Sequence, residues 1–151
     1  MADRRVQRRI LIAFGIFVFL GISLLLARAL TGAGAERSKV LDVLRAQARG
    51  DSEAVLAKLP DCRRSTACTR VVRERTAQLR REGKVEILNF QPSVQLALTD
   101  TTGTARVAWR ADGPKRLPVV QCVQVRRSGP LTGGGVQLVS ISNPIGLEAG
   151  C

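Results

Sequence analysis

Eighteen consecutive residues, Ile10 to Ala27 (ILIAFGIFVFLGISLLLA), carry no charge and a single hydroxyl. At 1.5 Å per residue a helix of this length spans about 27 Å, close to the roughly 30 Å hydrocarbon core of a bilayer. A helix in a soluble core keeps a polar stripe for its solvent side. This run has none. It predicts a transmembrane helix over residues 10–30, preceded by a basic tail (1–9) and followed by a flexible linker (31–37) and one domain (38–151).

The tail holds Arg4, Arg5, Arg8 and Arg9 against the single acid Asp3. Positive charge flanking a span stays on the cytoplasmic side. The N-terminus is therefore expected in the cytoplasm, with the domain outside a single-pass cell-membrane anchor. The rival reading is a cleaved signal peptide. Ala33 to Ala35 has the small-residue form of a cleavage site, and Arg8 to Ile12 (RRILI) faintly matches a twin-arginine signal. The apolar run exceeds the roughly 7–15 residues of such a segment, which favours the retained anchor. Either way the domain is exported.

Export bears on the four cysteines. Thiols oxidise outside the cytoplasm, and an even number in a small domain reads as bridges. The short separation makes Cys62 with Cys68 the most accessible pair, leaving Cys122 with Cys151. Zinc is disfavoured, because five, fifty-three and twenty-eight residues separate successive cysteines and the chain has no histidine. Structural zinc sites use much closer pairs. A C-x-x-C redox spacing is also missing. No metal and no cofactor are expected.

The formal charge is +12, from 24 basic and 12 acidic side chains. Setting aside the tail's four arginines and Asp3 leaves 20 and 11, a net of +9 outside. A basic exported surface suits anionic lipid headgroups, acidic wall polymers or acidic envelope proteins. The competing reading is compositional, since 20 of the basic residues are arginine in a chain rich in Ala, Gly and Val. No aromatic residues interleave with the arginines to form stacking platforms, so nucleic acid is not an expected partner. The expected partners are the bilayer, through residues 10–30, and other envelope proteins.

Within the domain the period is first helical. Val40, Leu41, Leu44 and Ala48 share one face of a helix over 39–49, and Gly50 closes it. Asp51 or Ser52 caps a short helix that stops before Pro60. Ser65 or Thr66 caps a third through Glu82, ending at Gly83. From Lys84 the pattern alternates. A short edge strand over 84–90 sets Val85, Ile87 and Asn89 on one face. A four-strand antiparallel meander follows from Ser93: 93–99, a turn at Asp100–Gly103, 104–110, about 116–127, and 135–142. Val123, Val125, Val136 and Leu138 read as core. Cys122 then faces outward near Ile141, where a returning tail could bring Cys151.

Three helices followed by four or five antiparallel strands define an α+β domain, with helices on one face of a curved sheet. The order of helix, short "RGDSEAVLAKL" helix, longer helix and meander resembles the NTF2-like (cystatin-like) superfold over roughly residues 38–142. The cysteine loop replaces a hairpin often found between the second and third helices there. Membrane-anchored members of that superfold include subunits of type IV secretion and conjugation machines and proteins associated with Mce lipid import. Soluble members include isomerases and hydrolases. Fold alone does not choose among them.

Proton-transfer chemistry on such a scaffold uses His, Asp, Glu or Tyr. The chain has no His and no Tyr. Its exported carboxylates, from Glu36 to Glu148, fall mostly at caps, turns or exposed helix faces. Glu86, the one carboxylate clearly inside a strand, alternates away from Val85 and Ile87. No catalytic residue is expected. The sequence reads as a non-enzymatic, membrane-anchored binding domain. The alternatives are a subunit of a trans-envelope assembly and a small-ligand or enzymatic domain using an internal cavity.

Overall fold

The structure is a computed structural model that describes residues 2–93, 99–111, 117–129 and 135–151, with the side chains of 2–6, 9 and 28–33 outside the description. It is an α+β chain: one long apolar N-terminal helix, three shorter helices and an open antiparallel sheet.

The first helix, α1 (Ala2–Arg49), is unbroken for 48 residues. The linker expected over 31–37 and the helix start expected at Lys39 are thus both replaced by continuous helix. Gly32 and Gly34 cost a helix roughly 1 kcal/mol each relative to alanine. Packing overrides that cost, because Glu36, Val40, Val43, Leu44 and Gln47 form one buried stripe. The helix ends in a Schellman closure: Gly50 takes φ 79°, its N–H bonds the Gln47 carbonyl, and the Asp51 N–H bonds Ala46.

The Asp51 side chain caps α2 (Ser52–Lys58) by accepting from the Ala54 N–H. Pro60 does more than follow the stop. It opens a four-residue helix, α3 (Pro60–Arg63), where the sequence pattern predicts only the cysteine loop, as suits a residue with no N–H to satisfy. Ser65 caps α4 (Thr66–Gln78). This helix is one turn shorter than expected. The backbone leaves it at Leu79, and the Arg81 N–H bonds the Ala48 carbonyl beside the end of α1.

The sheet runs in chain order: β1 (Glu86–Gln91), β2 (Thr101–Arg110), β3 (Val119–Ser128) and β4 (Gly135–Ile141), all antiparallel. β1 pairs directly with β2. The strand expected over 93–99 falls largely on residues outside the description. The turn expected at Asp100–Gly103 is instead the start of β2.

Two bulges correct the alternation read from sequence. Leu88 is skipped between β1 and β2, so Ile87 and Phe90, rather than Ile87 and Asn89, pack against the core. A register shift in the β3–β4 pair leaves Val139 out, which lets Leu138 and Ile141 both be buried. Helices cover one sheet face over Ala105, Val107, Trp109, Val123, Val125 and Leu138. After β4 the chain stays beside β3, with the Ser142 and Ile145 N–H groups bonded to the Cys122 and Val120 carbonyls. Only its last residues cross the other face, to Arg106 and Cys122.

Candidate functional site

α1 provides an axis along which the rest can be ordered. Its apolar segment Ile10–Ala27 is the one described helix long and apolar enough to cross a membrane, and no part of that segment is buried against the domain. Arg8, the one described side chain of the four tail arginines, is exposed. Arg4, Arg5 and Arg9 lie on the same helix with their side chains outside the description.

Nine residues beyond Ala27 the helix meets the domain at Glu36, whose side chain is fully buried. One carboxylate oxygen accepts the Ser93 N–H at 2.8 Å; the other accepts the Ser93 hydroxyl at 2.9 Å and Arg127 Nε at 2.7 Å. Arg127 Nη2 donates to that second oxygen as well. Four donors therefore surround one buried carboxylate, the condition under which a buried charge is tolerated. Gly103 completes the junction. A Cβ there would stand 2.7 Å from the Ser93 carbonyl oxygen, so only glycine lets Ser93 approach.

Sequence reasoning placed Glu36 in a linker and missed this cluster. A signal was present in the spacing 36, 40, 43, 47, which continues the core stripe backwards through the presumed linker. Arg127, on the inward face of β3, gave no local signal.

Both cysteine pairs stand at disulfide distance. Cys62 and Cys68 are joined at 1.98 Å with Cα atoms 5.2 Å apart, tying α3 to the first turn of α4. Cys122 and Cys151 are joined at 2.10 Å with Cα atoms 5.8 Å apart, fastening the tail to the outer face of β3. The tail has further holds. Arg106, opposite Cys122 on β2, donates from Nε to the Ala149 carbonyl at 3.0 Å and from Nη2 to Leu147.

Other buried polar groups are structural in geometry. Trp109 Nε1 donates to Gln121 Oε1 at 2.8 Å, and Gln121 Nε2 donates to the Ser142 carbonyl at 3.0 Å. Arg75 donates to the Ile141 carbonyl at 2.7 Å. Its burial holds the guanidinium below its ordinary pKa, yet an arginine stays charged at any working pH. Glu86 is exposed and faces Arg110 across β1 and β2 at 3.1 Å.

Among the described residues two grooves can be traced on the helical side. One of about 330 Å³ lies between Lys39 and Asp42 of α1, Lys58 and Pro60, and Val136 and Leu138 of β4. The other, of about 440 Å³, runs along the start of α4 and is lined by Arg63, Arg64, Thr66, Thr69, Arg70 and Arg73. Glu74 is its single acid. Among the described residues no three His, Cys, Asp or Glu side chains group as metal ligands. The arrangement can hold an anion at the arginine groove, and it fixes a helix rigidly to a sheet at Glu36. No family model, no curated protein and no solved structure matches the chain.

Proposed function

We propose that the chain is a single-pass membrane protein that holds a disulfide-tied α+β domain close to the outer membrane surface, as a non-enzymatic binding module for other envelope components. One observation carries this reading: the apolar helix continues without a break into the domain, where Glu36 locks it to Ser93 and Arg127. A flexible tether would merely tether the domain. A continuous helix bonded to the sheet also fixes its height and orientation. The tail arginines support a cytoplasmic N-terminus, and four bonded cysteines suit an oxidising compartment.

The order of helices and meander, with the helices on one sheet face, supports the NTF2-like superfold for the domain. The cystine-tied α3 takes the place of the hairpin. Within that superfold the rigid connection favours a subunit of a trans-envelope assembly over a carrier or enzyme. The side of the sheet facing α1 is occupied by Trp109, Val107, Val125 and Leu138, where a ligand domain needs an open apolar cavity.

The test is crosslinking of the full chain in its own membrane, followed by mild detergent extraction and intact-mass measurement. The expected result is an envelope partner in constant ratio to a chain that retains residues 1–35. Recovery of monomer alone counts against the assembly reading. A mass lacking residues 1–35 overturns the anchor.

A further inference from the structure

The basic charge is unevenly placed along α1. Residue levels can be read from bonds to that helix. The Arg81 N–H bonds the Ala48 carbonyl at the far end of the domain. From there α4 runs back through 13 residues to Thr66, about 20 Å at 1.5 Å per residue. Its start follows α3, and just before α3 Lys58 and Pro60 line one groove with Lys39, Asp42 and Val136, at the level of Lys39. A second route agrees. Asp61 of α3 lies 3.4 Å from Arg126, the neighbour of the arginine that grips Glu36, and Lys39 donates to the Val136 carbonyl. The turn from α3 to α4, with its cystine, therefore lies on the end of the domain nearest the apolar segment.

That end stands close to the bilayer. Glu36 and Lys39 lie nine and twelve residues beyond Ala27, about 14 and 18 Å along the axis. A headgroup layer is roughly 5–8 Å thick, and charges interact across a Debye length of about 8 Å at physiological salt. The end carries exposed Arg37, Lys39, Lys58, Arg63, Arg64 and Arg126. Four of its acids are committed: Glu36 is buried on Arg127, Asp61 pairs with Arg64 and Arg126, Asp42 pairs with Arg45, and Asp100 accepts the Gly129 N–H. Glu74, one turn beyond Arg70 on α4, is the one carboxylate lining the groove, against four arginines. In the groove at the start of α4, Arg73 is paired with Glu53. Neither Arg63 nor Arg70 has an ion-pair partner among the described residues. The far end differs: Asp51, Glu82 and Glu86 there intersperse with Arg49, Arg80, Arg81, Lys84 and Arg110, while Glu53 sits between the two ends, bonded to Arg73.

We propose that the groove lined by Arg63, Arg64 and Arg70, with the hydroxyl of Thr66 beside them, docks on anionic phospholipid headgroups of the bilayer that α1 crosses. The proposal rests on the membrane-spanning reading of α1. Charge complementarity and height select the occupant: guanidinium groups take phosphate oxygens in pairs, and the nearest dense array of phosphates is that surface. The cystine between Cys62 and Cys68 then has a second consequence, since it fixes the spacing of Arg63 and Arg70 on either side of the turn.

The test places the full chain in nanodiscs of phosphatidylcholine alone, or of phosphatidylcholine mixed with phosphatidylglycerol, and follows hydrogen–deuterium exchange of the peptide over residues 59–70. Stable incorporation reports on the membrane reading by itself. The expected result is exchange at least about fivefold slower with phosphatidylglycerol, the factor a single engaged arginine supplies. Protection is lost when salt shortens the Debye length to about 3 Å. R63Q/R70Q, which breaks no internal ion pair, abolishes the difference while leaving exchange in β2 and β3 unchanged. Equal exchange in the two lipids overturns the proposal. So does protection that arises in neutral discs on adding inorganic polyphosphate, with none from phosphatidylglycerol, which would assign the groove to a soluble polyanion.

Discussion

The buried stripe of α1 carries a polar side chain near each end, and the two are treated oppositely. Glu36, at the end nearest the apolar segment, is wholly inaccessible and receives four hydrogen bonds. Gln47, three turns further, is 1% exposed, and its Oε1 is a buried oxygen with no hydrogen-bond partner among the described residues. The more polar of the two is the one the fold has satisfied. Burial is thus no guide to what a polar group contributes; the supply of partners decides it. Glu36 ties three segments together, whereas Gln47 is a polar group the apolar core has merely enclosed.

Removing the carboxylate tests the first half of that contrast. Glu36→Ala leaves Arg127, whose side chain is 5% exposed, as an uncompensated buried charge, and the expected loss is about 3–5 kcal/mol. Trp109 is the only tryptophan and is fully buried, so its fluorescence during urea titration of the detergent-solubilised chain reads the midpoint. Should Glu36→Ala fail to fold, Glu36→Leu combined with Arg127→Met must recover part of the loss, because a well-packed apolar pair replaces a buried ion pair at little cost. A midpoint matching the unsubstituted chain would mean the junction is solvated and the contrast false.

Much of the domain was legible because its signals are local. The α+β class, the caps at Asp51 and Ser65, the closure at Gly50, and the inward Val123, Val125 and Leu138 all follow from spacing within a few residues. The junction was not legible. Gly32, Gly34 and the small residues around them read as a linker, and the bond that overrides them joins positions 91 apart in sequence. The same limit explains β1. Alternation set Asn89 inward, but a bulge at Leu88 is fixed by the register against β2, and Phe90 takes the inward place. Gly103 looked like a turn residue. It is a strand residue whose missing side chain admits Ser93.

The two cystines extend the comparison from buried groups to covalent ones. Each sits on a different layer: Cys62–Cys68 inside the helical layer, Cys122–Cys151 outside the sheet. Closing 29 residues restrains the unfolded chain more than closing six. Paired serine substitution is expected to remove about 3.7 kcal/mol at Cys122 and Cys151 and about 2.4 kcal/mol at Cys62 and Cys68, on the chain-entropy account. Arg106 still holds the tail by two hydrogen bonds without the outer bridge. Equal losses from the two substitutions would show that native contacts, rather than loop length, set each contribution.

Gln47→Met tests the other half with the opposite sign. Methionine keeps the unbranched shape and removes the orphan oxygen, so the urea midpoint should rise, by about 1–2 kcal/mol in stability. A fall would mean that Oε1 has a partner, such as an ordered water, and that both ends of the stripe are satisfied alike.

The smallest effect sharpens the contrast from outside the core. Glu86 and Arg110 are also a glutamate–arginine pair joining two elements, facing each other in register across β1 and β2. Their chemistry matches that of Glu36 and Arg127, but the side chains are 58% and 28% exposed. Water already solvates both partners, so Glu86→Ala leaves no stranded charge, and the expected loss is about 0–1 kcal/mol. Salt should shrink it further, while the Glu36→Ala loss should hardly respond. A Glu86→Ala loss as large as that of Glu36→Ala would show that ion pairing itself, independent of burial, holds this domain together.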